Sequence, residues 1–469
     1  MFALFFALLL PGVCGVIAPI RTLIVGAGPS GLLAAHALCS RYKQSRYSYE
    51  CLVVESRESP DAAEEPGPRS YSLGLNVRGQ GALRYFDKPG RSFGLFHDVR
   101  KEGIASESFF LHLGKTKIQI RKPRREGSGP PPTIMLPRNR LAAALLYNAK
   151  KLYGERFQCK FNTRVNSIDI ATRTAVLSDG TKISYDLLIG ADGVNSEVRK
   201  AAAKQIAGFT AEETILPGQF KVFVQDCPPS LERDAIHAME STNKDKEGFS
   251  LFAIPAPKDK MCVLVSWPDA DKPPAVLAEG AAFKPTAFNS AVEKDFPQFG
   301  KVFAESVAQF PNVSPSTSST VRCSSYASGT HGVLLLGDAA HSTGGTLGQG
   351  ANSALLDVVA LDEILDEKDD NTFLALERFS EKQQPEGEAL WKLLQLPPRG
   401  PLGIIYQIDQ LLRGLLSTIF PWFIPKPAQN ALSQTLTPFT KIVRQNWLWV
   451  FLSVNLKLGK RLTGARKVA

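Results

Sequence analysis

The amino-acid sequence predicts an α/β protein in which a parallel-sheet unit is interleaved with an antiparallel sheet and followed by a helical C-terminal region. Three observations carry this expectation. The β-branched run Thr22 to Val25 leads straight into Gly26-Ala27-Gly28-Pro29-Ser30-Gly31 and a helix-like stretch, Leu32 to Ser40, the pattern of strand, tight turn and helix. Two later segments, Tyr185 to Gly193 and Gly332 to His341, read as buried strands that end on adjacent Gly and Asp. Between them, Gln219 to Val224, Phe249 to Ile254 and Met261 to Trp267 read as antiparallel strands separated by polar turns.

The chain, at 469 residues with 44% hydrophobic content, is long enough for two or three structural units. Its 55 Lys and Arg exceed its 45 Asp and Glu, and the net charge of +10 favours anionic partners such as phospholipid surfaces, nucleic acid or phosphorylated cofactors. The seven cysteines include no Cys-x-x-Cys, and no two of the six histidines stand three or four apart, so neither a metal site nor a disulfide framework is expected. Phe2 to Ile20 carries no charge and reads as a signal peptide or an uncleaved N-terminal anchor. Either would place the protein in the endomembrane system, with the endoplasmic reticulum first and a plastid reached by the secretory route as the alternative.

The glycine run defines a ligand. Gly26 permits the turn, Gly28 lets backbone approach a pyrophosphate and Gly31 lets helix and sheet close on each other, with Pro29 and Ser30 opening the helix whose N-terminus faces the phosphates. The strand Tyr47 to Val54 ends at Glu55, whose carboxylate can accept hydrogen bonds from the hydroxyls of an adenosine ribose and disfavours a 2′-phosphate. Glu55 and the neighbouring Arg57 are therefore assigned to a dinucleotide that is FAD or NAD rather than NADP.

Tyr185 to Gly193, with Asp192-Gly193, and Gly332 to His341, with Gly337-Asp338 followed by Gly348-Gln349-Gly350-Ala351-Asn352, resemble the Asp-Gly and Gly-Asp motifs of the flavoprotein aromatic hydroxylases. The resemblance implies a glutathione-reductase-like Rossmann FAD-binding domain with an interleaved antiparallel-sheet substrate domain. It gives Asp338 a ribityl hydroxyl and aims the helix behind Gly348, Gly350 and Asn352 at the flavin, where its N-terminus would stabilise negative charge. It gives Asp192 and Gly193 contacts to FAD and to transient NADPH or NADH. Among these hydroxylases the chain is most similar to the kynurenine 3-monooxygenase family, through Arg69 to Gly79, Pro137-Arg138-Asn139-Arg140-Leu141 and Phe423-Ile424-Pro425. That likeness makes Arg138 an FAD contact.

Three departures touch the substrate side. Glu107 stands where the kynurenine enzymes place an Arg that grips the substrate carboxylate, and Arg121 to Arg125 is the nearby basic group able to compensate. Gly345-Thr346-Leu347 replaces Pro-Phe-Phe before the Gly-Gln-Gly, and Leu396-Pro397 replaces a Tyr-Asn pair. The cofactor site is expected to be retained and kynurenine to be a poor substrate. The resemblance implies an NAD(P)H-driven monooxygenase that hydroxylates or epoxidises an electron-rich aromatic or polyene molecule with O2 through a flavin C4a-hydroperoxide, and it offers no protein acid or base. A related flavin dehydrogenase or reductase and a non-catalytic flavin-binding protein are the alternatives.

The expected organisation is residues 1–20 as the targeting segment, 21–60, 141–204 and 321–396 as the FAD-binding domain, 61–140 and 205–320 as the substrate domain, and 397–469 as the helical region. Beyond Pro397, apolar runs at Leu402 to Tyr406, Leu411 to Ile424 and Trp447 to Leu456 are followed by Lys457, Lys460, Arg461, Arg466 and Lys467. None of these runs is long enough to span a bilayer, so peripheral membrane contact through this region is the expectation. No nucleic-acid motif accompanies the basic residues.

Overall fold

The computed structural model describes residues 19–43, 47–61, 71–88, 93–114, 116–123, 129–241, 248–345, 347–368, 371–456 and 466–468. The apolar segment through residue 18, Arg69, Ser70, Arg124, Arg125, Thr346, Lys457, Lys460 and Arg461 lie outside them.

The chain begins with β1 (Ile20–Val25), α1 (Pro29–Cys39) and β2 (Tyr49–Val54), then β3 (Ser72–Leu75), α2 (Val77–Tyr85) and α3 (Leu95–Lys101). Short strands β4 (Ile104–Ser106), β5 (Phe109–Leu113), β6 (Thr116–Arg121) and β7 (Thr133–Pro137) lead to α4 (Arg138–Tyr153) and β8 (Phe157–Lys160). A hairpin layer of β9 (Val165–Asp169), β10 (Thr174–Leu177) and β11 (Lys182–Ser184) precedes β12 (Leu187–Gly190) and α5 (Glu197–Gln205). The long β13 (Ala211–Asp226), β14 (Ile236–Glu240), β15 (Ser250–Ala256) and β16 (Lys260–Trp267) are followed by α6 (Pro285–Asp295), α7 (Ala304–Val307) and β17 (Ser316–Cys323). The chain returns through β18 (Ala327–Ser328), β19 (Val333–Leu335), α8 (Asp338–His341), α9 (Gly350–Glu367) and α10 (Thr372–Leu394), continues with α11 (Pro401–Ile419), α12 (Ala428–Gln434), α13 (Phe439–Gln445) and α14 (Trp447–Val450), and closes with β20 (Arg466–Val468), which pairs with β13.

The first sheet runs β18-β19-β12-β1-β2-β8, parallel except at the β18 edge. β1 is covered on both faces, which is why Leu23, Ile24 and Val25 form an unbroken buried run rather than an alternating one. Every residue of α1 is buried, and its small residues Ala34, Ala35 and Ala37 let it lie between the sheet, α4 and α9. The second sheet runs β17-β13-β16-β15-β14-β5-β6. The expected antiparallel strands pair as read, with Val222 opposite Leu264 and Phe252 opposite the same Leu264. Strict alternation along β13 sends Phe223 into an aromatic core with Phe288, Phe299 and Phe310 and leaves Phe220, Val222 and Val224 on the opposite face.

Residues 72–101 and 133–137, expected in the substrate domain, contribute Leu75, Leu83, Phe86, Leu95, Ile134 and Leu136 to the first core. The reason is that α2 lies against α9, a partner that hydrophobic periodicity does not reveal. A third core joins α10 to the C-terminal helices through Leu390, Leu393, Tyr406, Leu432, Phe439 and Trp449. Arg78 fastens it to α2. Its buried guanidinium donates to the carbonyls of Leu432 at 2.9 Å and Thr437 at 2.5 Å and lies 4.4 Å from the Phe439 ring centroid. Burial lowers its pKa to about 10.

Candidate functional site

One end of the site is the turn between β1 and α1. Gly26 has φ +103°, and a Cβ there would stand 2.4 Å from the Ala191 carbonyl oxygen. A Cβ on Gly31 would stand 2.1 Å from the Gly26 carbonyl oxygen, so the turn closes only with glycine at both positions. The helix α1 opens at Gly28 with Pro29 in its first turn, with no side-chain cap and no acidic residue. Its leading N–H groups and positive dipole end are open to an anion. Ser30 is buried, its hydroxyl near Gly337 of the other end. Arg138, the first residue of α4, brings Nη2 to 3.6 Å from the position of a Gly28 Cβ, so a cation faces the same spot.

Glu55 stands at the end of β2 as expected. Its Oε2 accepts from the Ala27 N–H at 3.0 Å and its Oε1 from the Arg57 N–H at 3.0 Å. Arg57 therefore supports the carboxylate through its backbone, while its side chain is exposed.

The other end is built on α8 and α9. Asp338 follows the Gly337 turn, and its Oδ1 lies 3.7 Å from where a Gly350 Cβ would stand. The helix α9 begins at Gly350 with Gln349 as N-cap, again without a side-chain cap or an acid in its first turn. Gly345 and Gly348 adopt φ +76° and +62° and border open space. Asn352 is turned inward. It donates to the carbonyls of Gly74 at 2.9 Å and Gly348 at 3.1 Å and accepts from the N–H groups of Asn76 at 3.0 Å and Gly79 at 3.2 Å. All its polar capacity is used in holding β3, α2 and the glycine loop to α9.

Behind this end lies a pair that sequence reasoning missed. Asp357 Oδ2 accepts from the Gly337 N–H at 2.9 Å and meets His341 Nε2 at 2.7 Å, both side chains being buried. Burial disfavours the charged imidazole, but Asp357 more than offsets this by charge and hydrogen bond, and the His341 pKa is raised. The available signal was spacing, since Asp357 follows Gly350 by two helical turns and so shares its face.

Asp192 lies two residues past the end of β12. Its Oδ2 accepts from the N–H groups of Glu197 at 2.7 Å and Val198 at 3.3 Å at the start of α5, while Oδ1 is buried without a hydrogen-bond partner. Burial pushes its pKa up. Gly193, at φ +75°, borders open space.

The substrate-side departures take definite places. Arg121 donates to the Glu107 carbonyl at 3.0 Å, to Thr133 Oγ1 at 2.9 Å and to the Ser106 carbonyl at 3.0 Å, so it ties strand edges together. Leu347 packs on the third core, and Gly344 abuts Leu216 of β13. Gly344 is thus held at the second sheet and Leu347 at the third core. Leu396 is buried in the third core.

These features fit a flavin dinucleotide. Two uncapped helix N-termini suit its phosphates and its flavin ring, Arg138 faces the glycine turn, Asp192 Oδ1 is an unmatched acceptor, and the Gly345 and Gly348 surfaces leave room for a ring. Fold and site together define the class of FAD-dependent monooxygenases, which are oxidoreductases. The chain belongs to the FAD binding domain family, which it matches over residues 20–368. It is 27% identical to kynurenine 3-monooxygenase of Salinispora arenicola, over 79% of this chain and 77% of that one. It is likewise 27% identical to violacein synthase of Chromobacterium violaceum, over 79% and 83% of the two chains. Its fold is similar to the tetrameric form of 2-methyl-3-hydroxypyridine-5-carboxylic acid oxygenase, with a TM-score of 0.63 and 19% identity over 88% of this chain and 96% of that one.

Removing the Arg138 charge, as in Arg138→Ala, is expected to weaken FAD binding by roughly tenfold or more, the scale of one charge-assisted contact. Titration of the flavin-free protein with FAD checks this.

Proposed function

We propose that this protein is an NADPH- or NADH-driven monooxygenase that inserts one oxygen atom into an apolar, electron-rich aromatic or polyene molecule, and that kynurenine is not its substrate. The carrying observation is the face of the second sheet turned toward the flavin unit. Its central side chains, Phe220, Val222, Val224, Phe252, Cys262 and Leu264, carry no charge, and all but Phe252 cluster with Tyr71 at the head of β3. An amino-acid carboxylate placed there would lose its hydration without a cation, a cost of several kcal/mol. Arg121, at the end of β6 in the same sheet, is committed to three strand-edge oxygens.

When bound, FAD supplies the electron transfer and oxygen activation, and the chain's own residues supply position and environment. In this reading the turn from Gly26 to Gly31, with Pro29 and Ser30, and Arg138 hold the pyrophosphate, while Glu55, braced by Arg57, receives the adenosine ribose. Asp338 takes a ribityl hydroxyl, Asp192 offers the buried, unmatched acceptor Oδ1, and Gly193 next to it borders open space. The α9 N-terminus behind Gly348 and Gly350 stabilises negative charge on the ring, and Asn352 keeps that N-terminus in place. The apolar sheet face excludes water from the reacting centre.

Anaerobic mixing with NADPH or NADH across aromatic and polyene candidates tests the reading. The expected result is substrate-stimulated bleaching of the flavin, followed under isotopically labelled oxygen by a product heavier by one labelled atom. Bleaching without oxygen incorporation would instead establish a dehydrogenase or reductase, and a flavin that stays oxidised with every donor would establish a non-catalytic binder.

A further inference from the structure

Helix α11 is turned with its polar side inward. Asp409 accepts from Trp449 Nε1 at 2.9 Å and pairs with Arg413 at 2.9 Å, Arg413 Nη1 donates to the Gln445 carbonyl at 3.0 Å, and Gln410 Oε1 accepts from the Ala428 N–H at 2.7 Å. These bonds fix the rotation of the helix. They leave Ile404, Ile408, Leu411, Leu415 and Ile419, spaced three or four apart, each more than half exposed on the outward face. The apolar surface continues past the helix end into Trp422 and Phe423, which are 88% and 84% exposed, and reappears at Trp447 on α14. A contiguous outward row of this kind exceeds the scattered apolar residues of an ordinary water-facing surface and marks an interaction site.

The charge of the region says what covers it. Residues 397–469 hold ten of the chain's 55 Lys and Arg and one of its 45 Asp and Glu; within residues 397–456 that one acid, Asp409, is paired with Arg413, while Arg466 and Lys467 stand apart on a strand beside β13. Lys426, Lys441 and Arg444 are exposed beside the apolar elements. A second copy docking through the same face would bring two strongly basic surfaces together, which electrostatics disfavours. Among the described residues no helix is long and apolar enough to cross a membrane. Aliphatic residues on one helical face, tryptophans at the boundary and flanking cations suit a helix lying in the plane of a lipid headgroup layer.

We propose that the α11 face, extended by Trp422 and Phe423, docks the folded enzyme onto an anionic phospholipid surface. The docking does not depend on the reaction assigned above. It is tested by flotation of the purified full-length, flavin-loaded protein with vesicles of phosphatidylcholine alone or containing phosphatidylserine. Binding is expected only to the anionic vesicles and should weaken between 0.1 and 0.5 M salt as the Debye length shortens from about 10 Å to roughly 4 Å. The double substitution Trp422→Ser with Phe423→Ser should lower vesicle binding by roughly tenfold or more, because it removes two large insertable side chains, and should leave flavin content unchanged. Absence of binding to anionic vesicles would overturn the proposal, as would binding that the double substitution does not alter. A concentration-dependent dimer that the same substitution abolishes, with no vesicle binding by the parent protein, would assign the face to self-association instead.

Discussion

Replacing Gly31 with valine is expected to reduce bound flavin to less than about a tenth of the parent level, the consequence of losing more than roughly 1.4 kcal/mol of binding free energy. The position offers no relief. A Cβ there would stand 2.1 Å from the Gly26 carbonyl oxygen and 3.1 Å from Ala191 Cβ. The first of these is backbone inside the turn and cannot swing aside, so either the turn opens or α1 moves away from β1. Both changes carry the leading N–H groups of α1 away from the position that Arg138 faces. Gly81→Ala is the matched control. Its Cβ would meet only Leu436 Cδ2 at 3.7 Å, an ordinary contact, and alanine within α2 should stabilise the helix by about 0.5–1 kcal/mol. Flavin absorbance per protein, measured beside Tm for both variants, separates the lost binding turn from general destabilisation.

Asp357→Asn is expected to destabilise the protein by about 3 kcal/mol at pH 6, since it removes the charge partner of a buried His341. The sign of the pH dependence follows from the raised His341 pKa. A group whose folded pKa lies above its unfolded value, near 6.5 for histidine, contributes stability that is fully present below that value and is lost as pH rises through the folded pKa. The parent protein should therefore lose this contribution on passing from pH 6 to pH 9, and the gap between parent and variant should narrow over the same interval. Urea unfolding at both pH values reads it directly. A gap that widened with pH would assign the coupling to another group. Because Asp357 also holds the Gly337 N–H, the variant should bind FAD more weakly through displacement of Asp338.

The legible part of the site was the part made by backbone. Gly26, Gly28 and Gly31 and the acid at the end of β2 are local requirements of a turn and a strand end, and their spacing alone placed them. Asn352 was legible as a motif position but not in its role, since its contacts to Gly74, Asn76 and Gly79 join segments far apart in the chain. Asp357 was hidden for a related reason, because one among the five acids of α9 has no local signature until its partners, Gly337 and His341, fold against it. The packing of residues 72–101 into the first core was not legible because alternation and periodicity give an apolar face without naming what covers it. The same gap concealed the rotation of α11. Its apolar runs were visible, while the inward direction of the polar side depends on Trp449, Gln445 and Ala428.

Arg78 gives the C-terminal helices a larger part in the molecule than that of an appended tail. Its guanidinium is solvated by main-chain carbonyls of residues 431–437 rather than by water. Peeling α12 and α13 away would strand a buried cation one helix from the Asn352 network, so the cofactor region and the C-terminal helices have reason to melt as a single cooperative unit. That rigidity also gives the enzyme an orientation. Whatever surface meets α11 is joined through the third core and Arg78 to α2 and the Asn352 contacts, so the cofactor site keeps one attitude to that surface.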